Sequence, residues 1–217
     1  MLNYISLFLV IEQLNNRIFE NMADLKNDVI DSNSNDETEN IVLNRECLFH
    51  IGNTRYVKGT FWNNEWNIHV RQYEWSSAGI LFPTKMGIAL SLLQWVELLC
   101  NLTTIEQTLK DFQEGKTVKL FMHLGSNVYL SVTNSYRVVD IRKWWIPDNE
   151  DELKPTRKGI ALTFQEWQSL VNICNQLAEE IPEIKQTIPC SFGTDHSNLL
   201  SAMQCRNCCP NEEYFIN

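Results

Sequence analysis

The sequence predicts an α+β protein built from two tandem ββββα units, and three observations lead there. Residues 81–95 read LFPTKMGIALSLLQW and residues 153–167 read LKPTRKGIALTFQEW, so one pattern is written twice. Upstream of each copy lie short runs in which apolar and polar residues alternate, the period of a half-buried strand. Within each copy the period then changes to that of an amphipathic helix behind a capping box.

In the first unit RECLFHI is a strand ending at a Gly turn. RYVKGTFW follows as a second strand, and EWNIHVRQYEW as a long third one rich in β-branched and aromatic residues. TVKLFMHL, VYLSVT and YRVVDIRKWWI repeat this order in the second unit, with His50, Gly52, Tyr56 and Arg71 falling on His123, Gly125, Tyr129 and Arg142. The first copy is two residues longer between Tyr and Arg. That length change belongs at a hairpin tip, where Asn63–Asn64 and Asn134–Ser135 supply turn residues. A loop holding Pro83 or Pro155 leads to a short fourth strand, MGIAL or KGIAL. Ser91 with Gln94, and Thr163 with Glu166, then open one helix per unit. Trp95, Leu98, Leu99, Leu102 and Ile105 line the first helix; Trp167, Leu170, Val171, Cys174 and Leu177 line the second. The units span residues 46–114 and 115–181. Domains of that size are marginal alone, so the two are expected to pack through their helices and adjoining strands.

The flanks carry little chemistry. Residues 1–45 divide into an apolar stripe and an acidic linker. Tyr4, Leu7, Ile11, Leu14, Ile18 and Leu25 mark an amphipathic helix, broken at Asn21, that packs on a partner or on another copy of the chain. Its opening run lacks a basic n-region and a cleavage site and is too short to cross a bilayer, so no membrane partner is expected. Residues 28–40 read as disordered. The net charge of -9 argues against nucleic acid only until its distribution is read, because residues 1–40 alone hold 8 acidic side chains against 2 basic ones. Seven cysteines are an odd number, which speaks against a disulfide framework and for a reducing compartment. Residues 182–217 hold Cys190, His196, Cys205, Cys208 and Cys209. They are expected to form a mobile tail with free thiols and no bound metal or other cofactor. The competing reading is a tetrahedral zinc site closed by the C-x-x-C pair, a further Cys and the His. The four histidines are scattered, and neither a phosphate-cradling Gly-rich loop nor H-E-x-x-H is present, so an enzyme is not expected.

The second unit, with DIRKWWIPDNEDELKPTRKGIALTFQEWQSL, closely resembles the single-stranded-DNA-binding domain of the transcriptional coactivator family of positive cofactor four. The resemblance covers most of residues 117–180 and is weaker over 46–112. It implies a curved four-stranded antiparallel sheet with a C-terminal helix in each unit. Family dimers pass two antiparallel DNA strands through their grooves, so a tandem chain is expected to pack as an intramolecular pseudo-dimer. The implied function is non-enzymatic binding of single-stranded or melted DNA, as a nuclear coactivator of RNA polymerase II among the proteins of the transcription machinery. The alternative is a protein-interaction module of the same fold with weak or lost DNA binding, favoured by the net charge and the altered first unit.

A strand-binding site needs cations along the phosphates and flat faces for unpaired bases. In the second unit Arg137, Arg142, Lys143, Lys154, Arg157 and Lys158 supply the cations, and Tyr136, Trp144 and Trp145 the faces. By resemblance, Arg142, Trp145, Lys154 and Lys158 match DNA-contacting positions. Neighbours on a strand point to opposite faces, and Trp145 is expected to be the exposed tryptophan. The first unit has Phe82 and Met86 where Lys154 and Lys158 stand. It retains Arg55, Lys58, Arg71 and Lys85, with Trp62, Trp66, Tyr73 and Trp75 as stacking surface; Trp62 matches a hairpin aromatic of the family. This half either binds by stacking or serves as a structural partner.

Overall fold

The computed structural model describes residues 46–192, His196 and 203–210; the N-terminal helix and acidic linker expected from the sequence lie outside the described residues. Strands β1 (Glu46–Gly52), β2 (Arg55–Trp62), β3 (Glu65–Trp75) and β4 (Leu81–Ser91) form one antiparallel sheet in that order. Helices α1 (Leu92–Cys100) and α2 (Leu102–Gln113) follow. The second sheet is β5 (Lys119–Gly125), β6 (Val128–Thr133), β7 (Tyr136–Trp145) and β8 (Lys154–Thr163), followed by α3 (Phe164–Glu180) and α4 (Glu183–Gln186). The protein is α+β, with two open four-stranded sheets, each followed by a helix. No helix among the described residues is long and apolar enough to cross a membrane.

Local chemistry accounts for the boundaries. Asn63 and Asn64 both adopt left-handed backbone, φ 51° and 61°, and so close the β2–β3 hairpin with a twist that suits the strands. Gly52 and Gly125, at φ 131° and 117°, turn the first hairpin of each unit. Both capping boxes form: Ser91 accepts from Gln94 N, Thr163 accepts from Glu166 N, and each third residue reaches back to the cap.

Two details differ from expectation. The single helix of the first unit is broken at Asn101, whose side-chain amide donates to Glu97 O at 2.8 Å and whose backbone N–H turns to the Leu98 and Leu99 carbonyls, ending one helix before the next begins. The segments around Pro83 and Pro155 are strand rather than loop. Pro83 pairs with Tyr73 and Pro155 with Trp144, positions on the edge strands β4 and β8, where a missing N–H is tolerated.

The two units share one hydrophobic core, running from Ile51, Ile68 and Leu90 through Trp95 and Leu98 to Leu124, Ile141, Trp167 and Leu177. Helix α3 lies on β1 of the first unit and α1 on β5 of the second, while β4 runs beside β8. Each capping-box residue reaches into the other unit. Gln94, on α1, donates from Nε2 to Gly125 O at 3.0 Å; Glu166, on α3, accepts at Oε1 from Asn53 Nδ2 at 3.0 Å. Both side chains are buried, and both terminal atoms of each are hydrogen-bonded. Trp167, at the centre of the core, donates from its indole nitrogen to Glu106 Oε1 at 2.8 Å, tying α3 to α2. The segment after α3 also continues the fold, since Ile181 and Ile184 are wholly buried and Ile181 packs over Gly59 of β2.

Candidate nucleic-acid interface

The seam between β4 and β8 is an open groove of about 880 Å³. Its lining includes Arg55, Arg71, Lys85, Arg142, Lys143, Arg157 and Lys158 and no carboxylate. In an acidic chain this is a concentrated field of one sign, the arrangement that draws in a polyanion.

The backbone aims these side chains by the same device in each unit. The β3–β4 register slips between Arg71 and Tyr73, and the β7–β8 register between Arg142 and Trp144. Opposite the arginines stand Gly87 and Gly159, where an added Cβ would lie 2.7 Å from Val70 O and 2.8 Å from Ile141 O respectively. The missing side chain lets each arginine fold over the fourth strand, so that Arg71 Nη1 donates to Thr84 O and Arg142 Nη1 to Thr156 O, both at 2.7 Å. The two threonines pin the bulges in turn. Thr84 Oγ1 donates to Gln72 O and Thr156 Oγ1 to Lys143 O, while each accepts the backbone N–H of Met86 or Lys158.

The charges are not equally available. Arg142 forms a two-pronged pair with Asp140, Nε to Oδ2 at 2.8 Å and Nη2 to Oδ1 at 3.0 Å, and the bonded carboxylate holds its pKa above the ordinary arginine value. His69 takes the place of Asp140 in the first unit. Burial foremost, then the charges of Arg71 and Lys58, push this imidazole below its ordinary pKa, so Arg71 faces a neutral ring instead of a carboxylate. Arg55 Nε lies 3.9 Å from Glu166 Oε1.

Six expected site residues lie outside the groove lining. Lys58 pairs with Glu46 at 2.9 Å, and Lys154 pairs with Glu150 of the acidic loop. The Arg137 guanidinium carbon sits 6.0 Å from the centre of the Phe112 ring. Trp62, Trp75 and Trp145 are exposed at 63%, 64% and 48%, while Trp144 is half-buried. Trp66 and Tyr73, read from the sequence as stacking surface, are instead buried. Trp66 shares the inward face of β3 with Ile68 and Val70, and Tyr73 packs on Tyr56 at 5.0 Å between ring centres.

A group of aromatics on the outward face of the second sheet was missed. Phe121 stacks on Tyr129 at 4.8 Å with the rings 13° from parallel, and Trp144 meets Phe121 edge-on at 4.9 Å. Phe121 is exposed, so this group offers a base a supported flat face. The signal was present: Phe121 lies two residues before His123, and His123 aligns across the turn with Tyr129, which puts all three on one face.

Paired ββββα units with a cation-lined seam define a class of tandem sheet proteins suited to an extended anionic strand. The model of the family Transcriptional Coactivator p15 (PC4) matches residues 49–101 and again 124–173. The match falls once in each unit, consistent with two tandem copies of that family's domain. The family is one of non-enzymatic coactivators that bind single-stranded DNA and interact with the transcription machinery. No solved structure matches the chain.

Proposed function

We propose that this protein binds single-stranded or melted DNA and acts in the nucleus as a non-enzymatic coactivator of RNA polymerase II. Residues 46–114 and 115–181 form the two halves of an intramolecular pseudo-dimer, and the apolar stripe of residues 4–25 carries any further self-association, which the solution mass of the full chain would reveal. The observation that carries the reading is the groove at the junction of the halves, lined by seven cations and no carboxylate in a chain of net charge -9. Backbone phosphates would follow the cations, and unpaired bases would stack on Trp145 and on the Phe121 face.

The test is fluorescence anisotropy with a labelled single-stranded oligonucleotide at two salt concentrations, with duplex as competitor. Saturable binding that weakens with salt and prefers the single strand is expected. Binding absent at low salt would leave the second reading, a protein-interaction module. That reading has its own support on the first unit, where Trp75, Ile80, Phe82 and Met86 expose apolar surface along and beside the end of β4.

A further inference from the structure

The C-terminal segment brings together side chains 18 positions apart in sequence. The thiols of Cys190, Cys205 and Cys208 and the imidazole of His196 each present one ligand atom, and these atoms all lie within 4.8 Å of one another. Cys190 Sγ is 3.4 Å from Cys205 Sγ and 3.4 Å from His196 Nε2; Cys208 Sγ is 3.9 Å from the same Nε2. A tetrahedral zinc ion with bonds of about 2.3 Å to sulfur and about 2.0 Å to nitrogen sets S···S near 3.8 Å and S···N near 3.5 Å. We propose that Cys190, His196, Cys205 and Cys208 bind one structural zinc ion.

The surroundings suit a metal thiolate. Cys205 and Cys208 stand in C-x-x-C spacing, and the Cys209 N–H closes the turn onto Cys205 O at 2.8 Å. Four protein ligands of the S3N type fill a closed site and select zinc over the harder divalent ions. Binding displaces three thiol protons to solvent. Cys174 and Cys100 lie outside the cluster, and burial pushes their thiols up to about 12 and about 11.

The site has a structural task. Asn207, inside the C-x-x-C turn, accepts at its carbonyl from Ser126 N at 2.6 Å, and its side chain meets Ser126 Oγ at 3.3 Å. Ser126 and Gly125 form the β5–β6 turn on which Gln94 of the first unit also docks. Asn127, next in that turn, accepts the Trp144 N–H at 2.8 Å. Zinc therefore clamps the C-terminal segment over the turn that supports the tryptophan pair of the second unit.

The experiment uses the full chain purified under reductant. Elemental analysis should find one zinc per chain, and cobalt(II) added to metal-stripped protein should give the intense visible bands and thiolate charge-transfer absorption of tetrahedral coordination. Cys205→Ser and His196→Ala should lose stoichiometric zinc, whereas Cys209→Ser should keep it. The metal-stripped wild type should unfold at lower temperature and regain its Tm on adding zinc alone. The proposal is overturned by wild-type protein that takes up neither zinc nor cobalt, by a Cys190–Cys205 disulfide that persists in reductant, or by zinc binding that survives Cys205→Ser. Loss of zinc in Cys209→Ser would overturn the ligand set. Each readout is independent of whether the chain binds DNA.

Discussion

Replacing Lys143, Arg157 and Lys158 together by Gln should remove more than half of the salt dependence of oligonucleotide binding. Of the seven groove cations, Arg142 is held by Asp140 and Arg55 leans on Glu166. Arg71, Lys85, Lys143, Arg157 and Lys158 have no ion-pair partner among the described residues. Only a charge that is surrounded by counterions in the free state, or that strips them from phosphate, contributes to the slope of log affinity on log salt. At about 0.7 per single-strand contact, these five predict a slope near -3.5, so that raising salt from about 50 to 200 mM weakens binding by about 130-fold. The triple variant keeps Arg71 and Lys85; its slope should be near -1.4 and the same change in salt should cost only about 7-fold. Lys154→Phe is the internal control. Its ammonium already faces Glu150, and the slope should hardly change although resemblance places this lysine at a DNA contact. Anisotropy titrations at four or more salt concentrations measure all three proteins. A triple variant with the wild-type slope would refute the assignment of the strand to this seam.

Trp145→Ala should weaken binding by about 1–3 kcal/mol at every salt concentration with the slope unchanged, because stacking releases no counterions; a slope change in the same titration would contradict it. Glu166→Ala removes an N-cap partner and leaves Asn53 of the other unit without its acceptor, so chemical denaturation should report a loss of about 2–4 kcal/mol. Glu166→Gln, which keeps an acceptor, should lose less. Residues 115–181 expressed alone should lack a cooperative transition, since Leu124, Trp167 and Leu177 would lose the first unit's share of the core; a stable two-state monomer would count against the shared core.

What the sequence made legible was the chemistry local to each element. The capping boxes could be read from Ser91 with Gln94 and Thr163 with Glu166, because cap and partner are three residues apart. That the same two side chains also bridge the units could not, since Asn53 and Glu166 are separated by 113 positions and nothing local announces the contact. Trp66 was legible and was misread: it shares the period of Ile68 and Val70, which marks it as inward. Tyr73 was harder, because the register slip after Arg71 breaks the alternation that would assign its face. Of the site, the cation types were visible in the sequence, but not which of them a neighbouring carboxylate already occupies. Glu150 and Asp140 look alike on paper; only position shows that Glu150 holds Lys154 outside the groove while Asp140 holds Arg142 within it.

A tandem chain frees its halves from a constraint that binds any symmetric dimer, in which each substitution lands twice. The divergence here is sorted by face. Inward and bridging positions such as Trp95 and Trp167, or Gln94 and Glu166, stay equivalent, and the arginine–threonine pairs of the groove are kept, whereas other outward positions differ: Met86 against Lys158, Phe82 against Lys154, Glu74 against Trp145. If the first unit keeps the backbone of a strand-binding surface and has lost only its charges, Met86→Lys should restore a contact. Met86 lines the groove beside Lys85, and its N–H rests on Thr84 as that of Lys158 rests on Thr156, so a lysine there would face the same seam. The slope should steepen by about 0.7. Phe82→Lys should add little, because Phe82 stands opposite Glu74 in the β3–β4 ladder, where a new ammonium would find a carboxylate before it found phosphate. The salt titration that reads the other variants reads these two. An unchanged slope in Met86→Lys, with the protein folded by circular dichroism, would mean that no strand passes the first half of the seam and that this unit acts as the structural partner of the second.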